Sequence, residues 1–242
     1  MSQTSKFRLA VLGLVAFLPS FLKRPSYRLF FAYRIGKRVR IGISIIDARK
    51  CTIDDDVTIG HFNLVIGVKA LQIGDHVRIA HLNIIRGGDE VRLGRYSEII
   101  RLNEINSIPD ADVVNQTDPR FFLGEGSIIA AQHKIDFTDR VEIGRRTILG
   151  GRNSSLWTHN RQRTRPIEVG SFTYLGSEIR VAPGGSVPSR CIVGIGSVIT
   201  SRLTEEGQLI GGVPAKSIKN LNEDDRFLIE QKTRADLPDD IQ

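Results

Sequence analysis

Five histidines occur in the 242-residue chain, and His159 is the one best placed to move a proton. It sits in THNRQRTRP, between Trp157 and Arg161, in a stretch with no aliphatic repeat. Free imidazole titrates near neutrality, so on a loop it is a candidate general base; the plain alternative is a surface histidine near a turn. Arg161, Arg163 and Arg165 alternate beside it. Guanidinium groups suit paired hydrogen bonds to phosphate or carboxylate, which points to an anionic ligand, with a solvated loop as the competing view. His133 is the rival base. It lies two residues before Ile135 and reads first as a packed core histidine, or as a wall of the site. Asp136 and Asp139 follow it and could orient an imidazole.

What must position these residues is a six-residue repeat. Between Pro166 and Lys219 an aliphatic side chain returns at Val169, Leu175, Val181, Val187, Val193 and Ile199, with glycine after it at Gly170, Gly176 and Gly194. A helix repeats near 3.6 residues and a half-buried strand at 2, so this period marks a parallel β-helix solenoid. Each hexad makes one flat side of a triangular coil and turns its aliphatic residue to the axis. The columns extend back through Ile53, Ile59, Val65, then Ile73, Ile79, Ile85, then Leu93, Ile99, Ile105. Leu123, Ile129, Ile135 and Ile143, Leu149, Ser155 follow, and only Ser155 breaks the aliphatic rule. The step is six within each triplet and eight between the early ones, so a small bulge recurs at one corner.

The chain divides into an N-terminal helical cap over 1–38, a β-helix over 39–212, and a closing motif, helix and tail over 213–242. Excursions at 106–122 and 156–168 leave the prism at the same corner, so they belong on one edge. The first contains several Asp, costly to bury, and is expected to be a loop rather than a coil. Near the end, NEDDRFLIEQKTRADL offers Asn222 as an N-cap and Glu223, Asp224 and Asp225 in the first turn, which predicts a helix.

A net charge of +7 favours anionic partners such as phosphates or a membrane surface. No helix carries a clustered basic face with aromatics, so a nucleic-acid partner is not expected. Cys51 and Cys191 each stand two before an aliphatic residue and read as reduced core thiols, which suits the cytoplasm. Leu9 to Leu22 is apolar but shorter than the roughly 20 residues of a membrane span, and Pro19 interrupts it. No convincing cleavage site follows it. Lys6, Arg8, Lys23 and Arg24 flank it, leaving two compatible readings: a helix capping the solenoid, or an interfacial helix on an anionic membrane.

The repeat, with the closing motif GGVPAKSIK, resembles the hexapeptide-repeat acyltransferases, the left-handed parallel β-helix family, most strongly from about Thr158 to Lys219. The resemblance implies an all-β left-handed solenoid with N- and C-terminal helices, and a homotrimer with sites between neighbouring subunits. It also implies acetyl-CoA as co-substrate, with no metal. Members close to this pattern acetylate sugars or sugar nucleotides, often in cell-surface polysaccharide synthesis. The family's catalytic base falls on His159, and the acceptor is expected near His133, Trp157, Asn160, Arg161 and Arg163. The pantetheine arm is expected along Gly176, Ser177, Gly194 and Gly196, where small residues permit close approach to the backbone. Arg202, Lys216 and Lys219 are expected to meet the phosphates. Arg202 departs from the lysine that many members carry nearby, and Tyr174 stands where relatives often have Trp.

Two other classes share such a scaffold. A zinc hydratase needs three histidines around one metal with an open position. His61 and His81 lie one 20-residue coil apart and should stack at roughly 4.8 Å, with His76 on a different side and no third ligand evident. The other class is a non-catalytic scaffold.

Overall fold

Stacked parallel strands build a three-sided coil in the computed structural model, which describes residues 6–108, 115–230, 232 and 234–236. The chain folds as a left-handed parallel β-helix with flanking helices. One face is a 10-stranded sheet that includes Arg78–His81, Glu98–Arg101, Ile128–Ala131 and Tyr174–Leu175. The other two faces form a single 14-stranded sheet, because Leu64–Ile73 runs unbroken round the corner between them. Equivalent residues sit above one another: Ile79, Ile99 and Ile129 on the first of these sheets, and Ile85, Ile105 and Ile135 on the second. From Ile53 to Ile199 the expected inward aliphatics are at most 3% exposed. Burying each contributes roughly 1.5–3 kcal/mol, so the columns hold the stack together.

Ser155 is the exception that the structure corrects. It is only half-buried, and the fully buried Leu156 takes the axial place, in register with Ile135 below and Val181 above. One extra residue has entered at the preceding corner, where pairing slips from Leu149 opposite Ile129 to Arg152 opposite Ala131. Gly151 absorbs it with φ of +62°, and a Cβ there would lie 1.8 Å from Ser177 Oγ. Only glycine fits such a bulge.

A polar ladder runs inside the stack, two residues before the aliphatics of one face. Asn63 Oδ1 accepts from Asn83, Asn83 Oδ1 from Asn103, and Asn103 Oδ1 from the His133 backbone N–H, all near 3.0 Å. His133 Nδ1 then accepts the Ser154 N–H at 3.1 Å, and Ser154 Oγ the Ile179 N–H at 3.1 Å. Each member bridges to the next coil, so stacking itself satisfies these groups, apart from His133 Nε2, which is buried without a partner.

Two helices, α1 (Lys6–Phe17) and α2 (Ser20–Phe31), break at Pro19 and close one end of the prism. Leu12, Val15, Ala16 and Tyr27 are buried there. Lys23 is buried too, its Nζ donating to the carbonyls of Ile41 (3.0 Å) and Gly42, while Ser20 Oγ accepts the Ile41 N–H. Arg8 reaches Asp47 (2.7 Å) and the Ala48 carbonyl (2.9 Å). Strand pairing begins already at Arg34–Ile35, ahead of the boundary expected at 39.

At the other end Gln208–Gly212 adds a last parallel strand, with Ile210 fully buried. The chain then reverses at the cis Val213–Pro214 bond, and Ala215–Asn220 pairs antiparallel with it. The predicted C-terminal helix is shorter than its sequence suggested. Asn222 caps α3 (Glu223–Arg226) through a reciprocal pair with Asp225, but the helix makes a single turn. A 3-10 turn at Arg234–Asp236 lies against the prism, where Arg234 donates to the His76 carbonyl at 3.1 Å and Asp236 pairs with Arg146.

Candidate functional site

The loop that carries His159 is pinned from below by the preceding coil. Asp136 stands in register with Trp157, and its Oδ2 accepts the His159 backbone N–H at 3.2 Å. Its Oδ1 accepts from the Thr138 N–H at 2.9 Å and from the Thr138 hydroxyl. Thr158 Oγ1 donates to the Asp136 carbonyl and accepts from the Asp139 N–H, both at 3.0 Å. Burial pushes the Asp136 pKa above the usual carboxylate range, opposed by the Thr138 hydrogen bonds and by the charge of the nearby His159. The loop also closes on itself. Arg165 N–H donates to the Thr158 carbonyl at 2.8 Å, and Asn160 Oδ1 accepts from the N–H groups of Gln162 and Arg163. Asn115, in the other excursion, exchanges two hydrogen bonds with the Thr164 backbone, at 2.9 and 3.1 Å. The two excursions therefore meet beside His159.

Trp157, Asn160, Arg161 and Arg163 are exposed on this corner, and His159 is partly exposed. His133 is not among them. Its imidazole is fully buried in the polar ladder, and burial lowers its pKa to about 4. It is a core histidine and touches no surface that a substrate could reach in this chain. Asp136, two residues before Thr138, serves His159 rather than its sequence neighbour His133. The signal was present in the sequence: once Leu156 rather than Ser155 takes the axial position, Asp136 falls directly beneath Trp157.

The residues expected along the pantetheine arm occupy a different corner, across one face of the prism from His159. Gly176 lies under the next coil, where a Cβ would sit 3.1 Å from the Ile195 nitrogen, and Ser177 Oγ accepts the Arg152 N–H at 3.3 Å. Gly196 is open: a Cβ there would meet nothing within 4 Å. At Gly194 the nearest atom would be 3.6 Å away. Lys216 pairs with Gly211 at this end, and its side chain is exposed. Lys219 instead engages Asp225 at 2.7 Å. Arg202 does not join this group; it pairs with Ser186 and lies 3.5 Å from Glu168, on the His159 corner.

His61 and His81 stack as expected, with ring centroids 5.7 Å apart and planes within 4°. Their Nδ1 atoms accept the backbone N–H groups of Ile43 and His61, which occupies a lone pair that a metal would need. His76 stacks on Tyr96 at another corner. Among the described residues no group of three His, Cys, Asp or Glu could hold a metal ion. Surface hollows of about 150 and 160 Å³ occur by Phe172 and by Ile229, and neither is lined by His159. His159 thus sits on a partly exposed ledge at this corner of the prism.

No family model matches this sequence, and no curated protein matches it. Solved structures do. The crystal structure of the polySia specific acetyltransferase NeuO is similar over 78% of this chain and 82% of its own, at 19% identity and a TM-score of 0.53. A hexapeptide transferase family protein from Anaplasma phagocytophilum is similar over 68% and 84%, at 16% identity and a TM-score of 0.38. LpxA, a UDP-N-acetylglucosamine acyltransferase from Bacteroides fragilis 9343, is similar over 78% and 70%, at 15% identity and a TM-score of 0.42. With its three stacked faces and aliphatic hexads, the chain has the fold of the hexapeptide-repeat acyltransferases.

Proposed function

We propose that this protein is an acetyl-CoA-dependent acetyltransferase acting on a hydroxyl or amino group of a sugar, nucleotide sugar or lipid-linked sugar in cell-surface polysaccharide synthesis. The observation that carries this reading is His159, partly exposed on a loop whose backbone is fixed by the buried Asp136. In the proposed reaction His159 takes the proton of the acceptor as its oxygen or nitrogen attacks the thioester carbonyl. The tetrahedral intermediate then expels the coenzyme A thiolate, and its negative charge meanwhile is met by backbone N–H groups. No covalent enzyme intermediate forms. Asp136 acts as a positioning residue, holding the His159 backbone N–H. Exposed Arg161 and Arg163 suit an acceptor bearing phosphate.

The separation of His159 from Gly194, Gly196 and Lys216 supports a homotrimer. In a three-fold assembly the ledge of one subunit would face the other corner of its neighbour, closing the site between them. Two free, buried cysteines suit a cytoplasmic setting at the inner face of a membrane.

Calorimetry with acetyl-CoA on wild type and His159→Ala, followed by thioester loss with sugar acceptors, tests the reading. Both proteins should bind, and turnover should fall about 10²- to 10⁴-fold in the variant. Undiminished turnover in the variant would remove His159 as base. Absence of binding in both would favour a non-catalytic scaffold.

A further inference from the structure

We infer that the α1–α2 hairpin is a docking surface for an anionic lipid bilayer. Its inner side is already occupied by the first coils, through Leu12, Val15, Tyr27 and the buried Lys23. The outer side is apolar and bare. On α1, Phe7, Leu14 and Phe17 are 77%, 73% and 76% exposed, and their spacing puts them on one helical face. On α2, Phe21 and Leu29 are 75% and 80% exposed, with Phe30 at 62% beside them. Six large apolar side chains left exposed on one hairpin form a patch of the kind that marks an interaction surface.

Charge selects the occupant. Residues 1–46 contain nine Lys and Arg and no acid, whereas the chain as a whole has 34 Lys and Arg against 27 Asp and Glu. Everything after residue 46 therefore has 25 against 27, and the excess positive charge is concentrated at this end. Arg28, Arg34, Lys37 and Arg40 are exposed, with Arg28 on the same turn-spaced face as Phe21. A protein partner would need a matching apolar groove of defined shape; a bilayer needs only depth and negative charge, and this face offers both halves. No described helix is long and apolar enough to cross a membrane, so the hairpin would lie in the interface plane. The Arg8–Asp47 and Lys23 contacts fix the hairpin rigidly on the prism, which would hold the coil axis at a set angle to the lipid surface.

Co-sedimentation of the full chain with vesicles tests this, using phosphatidylcholine alone and phosphatidylcholine mixed with phosphatidylglycerol. Wild type should bind the mixed vesicles far better than the neutral ones, and added salt should weaken the binding. Phe17→Ser combined with Phe21→Ser should lower partitioning at least about tenfold, and Arg28→Gln about fivefold. The two phenylalanines are exposed, whereas the Arg28 guanidinium also donates to the Ile35 carbonyl; unchanged circular dichroism and thermal melting would show that both variants fold. Failure of wild type to bind the mixed vesicles, or equal binding by the double variant, would overturn the inference. So would self-association of wild type without lipid binding, abolished by the same substitutions, since the face would then belong to a second copy. Lipid binding does not depend on acyl transfer: a chain that binds vesicles but not acetyl-CoA would sink the proposed chemistry alone.

Discussion

His133 is the one rung of the polar ladder that can titrate, and this makes the ladder measurable. The imidazole is fully buried, and burial lowers its pKa from 6.5 to about 4, partly offset by the Leu149 backbone. The folded pKa is the lower, so the unfolded chain takes up a proton that the folded chain refuses. The stability contribution is therefore complete above pH 6.5 and is lost as pH falls from there towards 4. Integrated between pH 7 and pH 5, the loss from this group alone is about 2 kcal/mol. His133→Asn removes the titration while keeping a side-chain oxygen for the Ser154 N–H, as Asn63, Asn83 and Asn103 do one coil at a time. Urea unfolding of both proteins at the two pH values isolates the term, because the other shifted groups, such as Asp54, Asp56, Asp118 and Asp136, are common to both. Wild type should lose about 2 kcal/mol more than the variant on going from pH 7 to pH 5. Parallel losses in the two proteins would refute the buried, neutral imidazole.

Leu156→Ala should destabilise the fold by about 2–5 kcal/mol, and Ser155→Ala by less than about 0.5 kcal/mol, both read from denaturant midpoints. The opposite order would restore an unbroken six-residue step. Asn103→Leu strips the acceptor from the His133 N–H and one of the two donors from Asn83 Oδ1, so the orphaned His133 N–H should cost about 1–3 kcal/mol. Hydrogen exchange at the His133 amide should quicken, and an unchanged rate would show the ladder bond to be idle. Asp136→Asn should lower turnover at least about tenfold while leaving acetyl-CoA affinity in place; a change in affinity alone would assign Asp136 a purely structural part.

The columns from Ile53 to Ile199 were legible because a residue aimed at the axis of a narrow prism has no freedom of chemistry, and the period appears wherever this constraint acts. Ser155 misled because a corner, unlike a face, tolerates an added residue. Gly150 and Gly151 took up the slip, and nothing in the hexad count at that point distinguishes Ser155 from Leu156. The error then hid Asp136, whose partnership with His159 depends on knowing which residues stack. His133 was legible as core from its position two before Ile135, yet the resemblance drew it towards the acceptor. Residues of the predicted C-terminal helix had a good start in Asn222 but little apolar surface to bury beyond Leu221 and Ile229, and the helix stops after one turn. A site closed between neighbouring copies, as proposed, would draw on more than one chain, and no pattern within a single sequence could display it.

The closed ends of the prism bear on its behaviour in concentrated solution. Every coil offers the same parallel hydrogen-bonding pattern upward and downward, so a bare end would be a template on which another copy could stack without limit. Here Ser20 and Lys23 saturate the backbone of Ile41 and Gly42 at one end. At the other, the reversed strand Ala215–Asn220 occupies the edge of Gln208–Gly212 in the wrong direction for continuation. A chain cut after Phe31 would keep its coils and lose this stop, and filaments growing end to end from the exposed Ile41 edge are the form its aggregation would take.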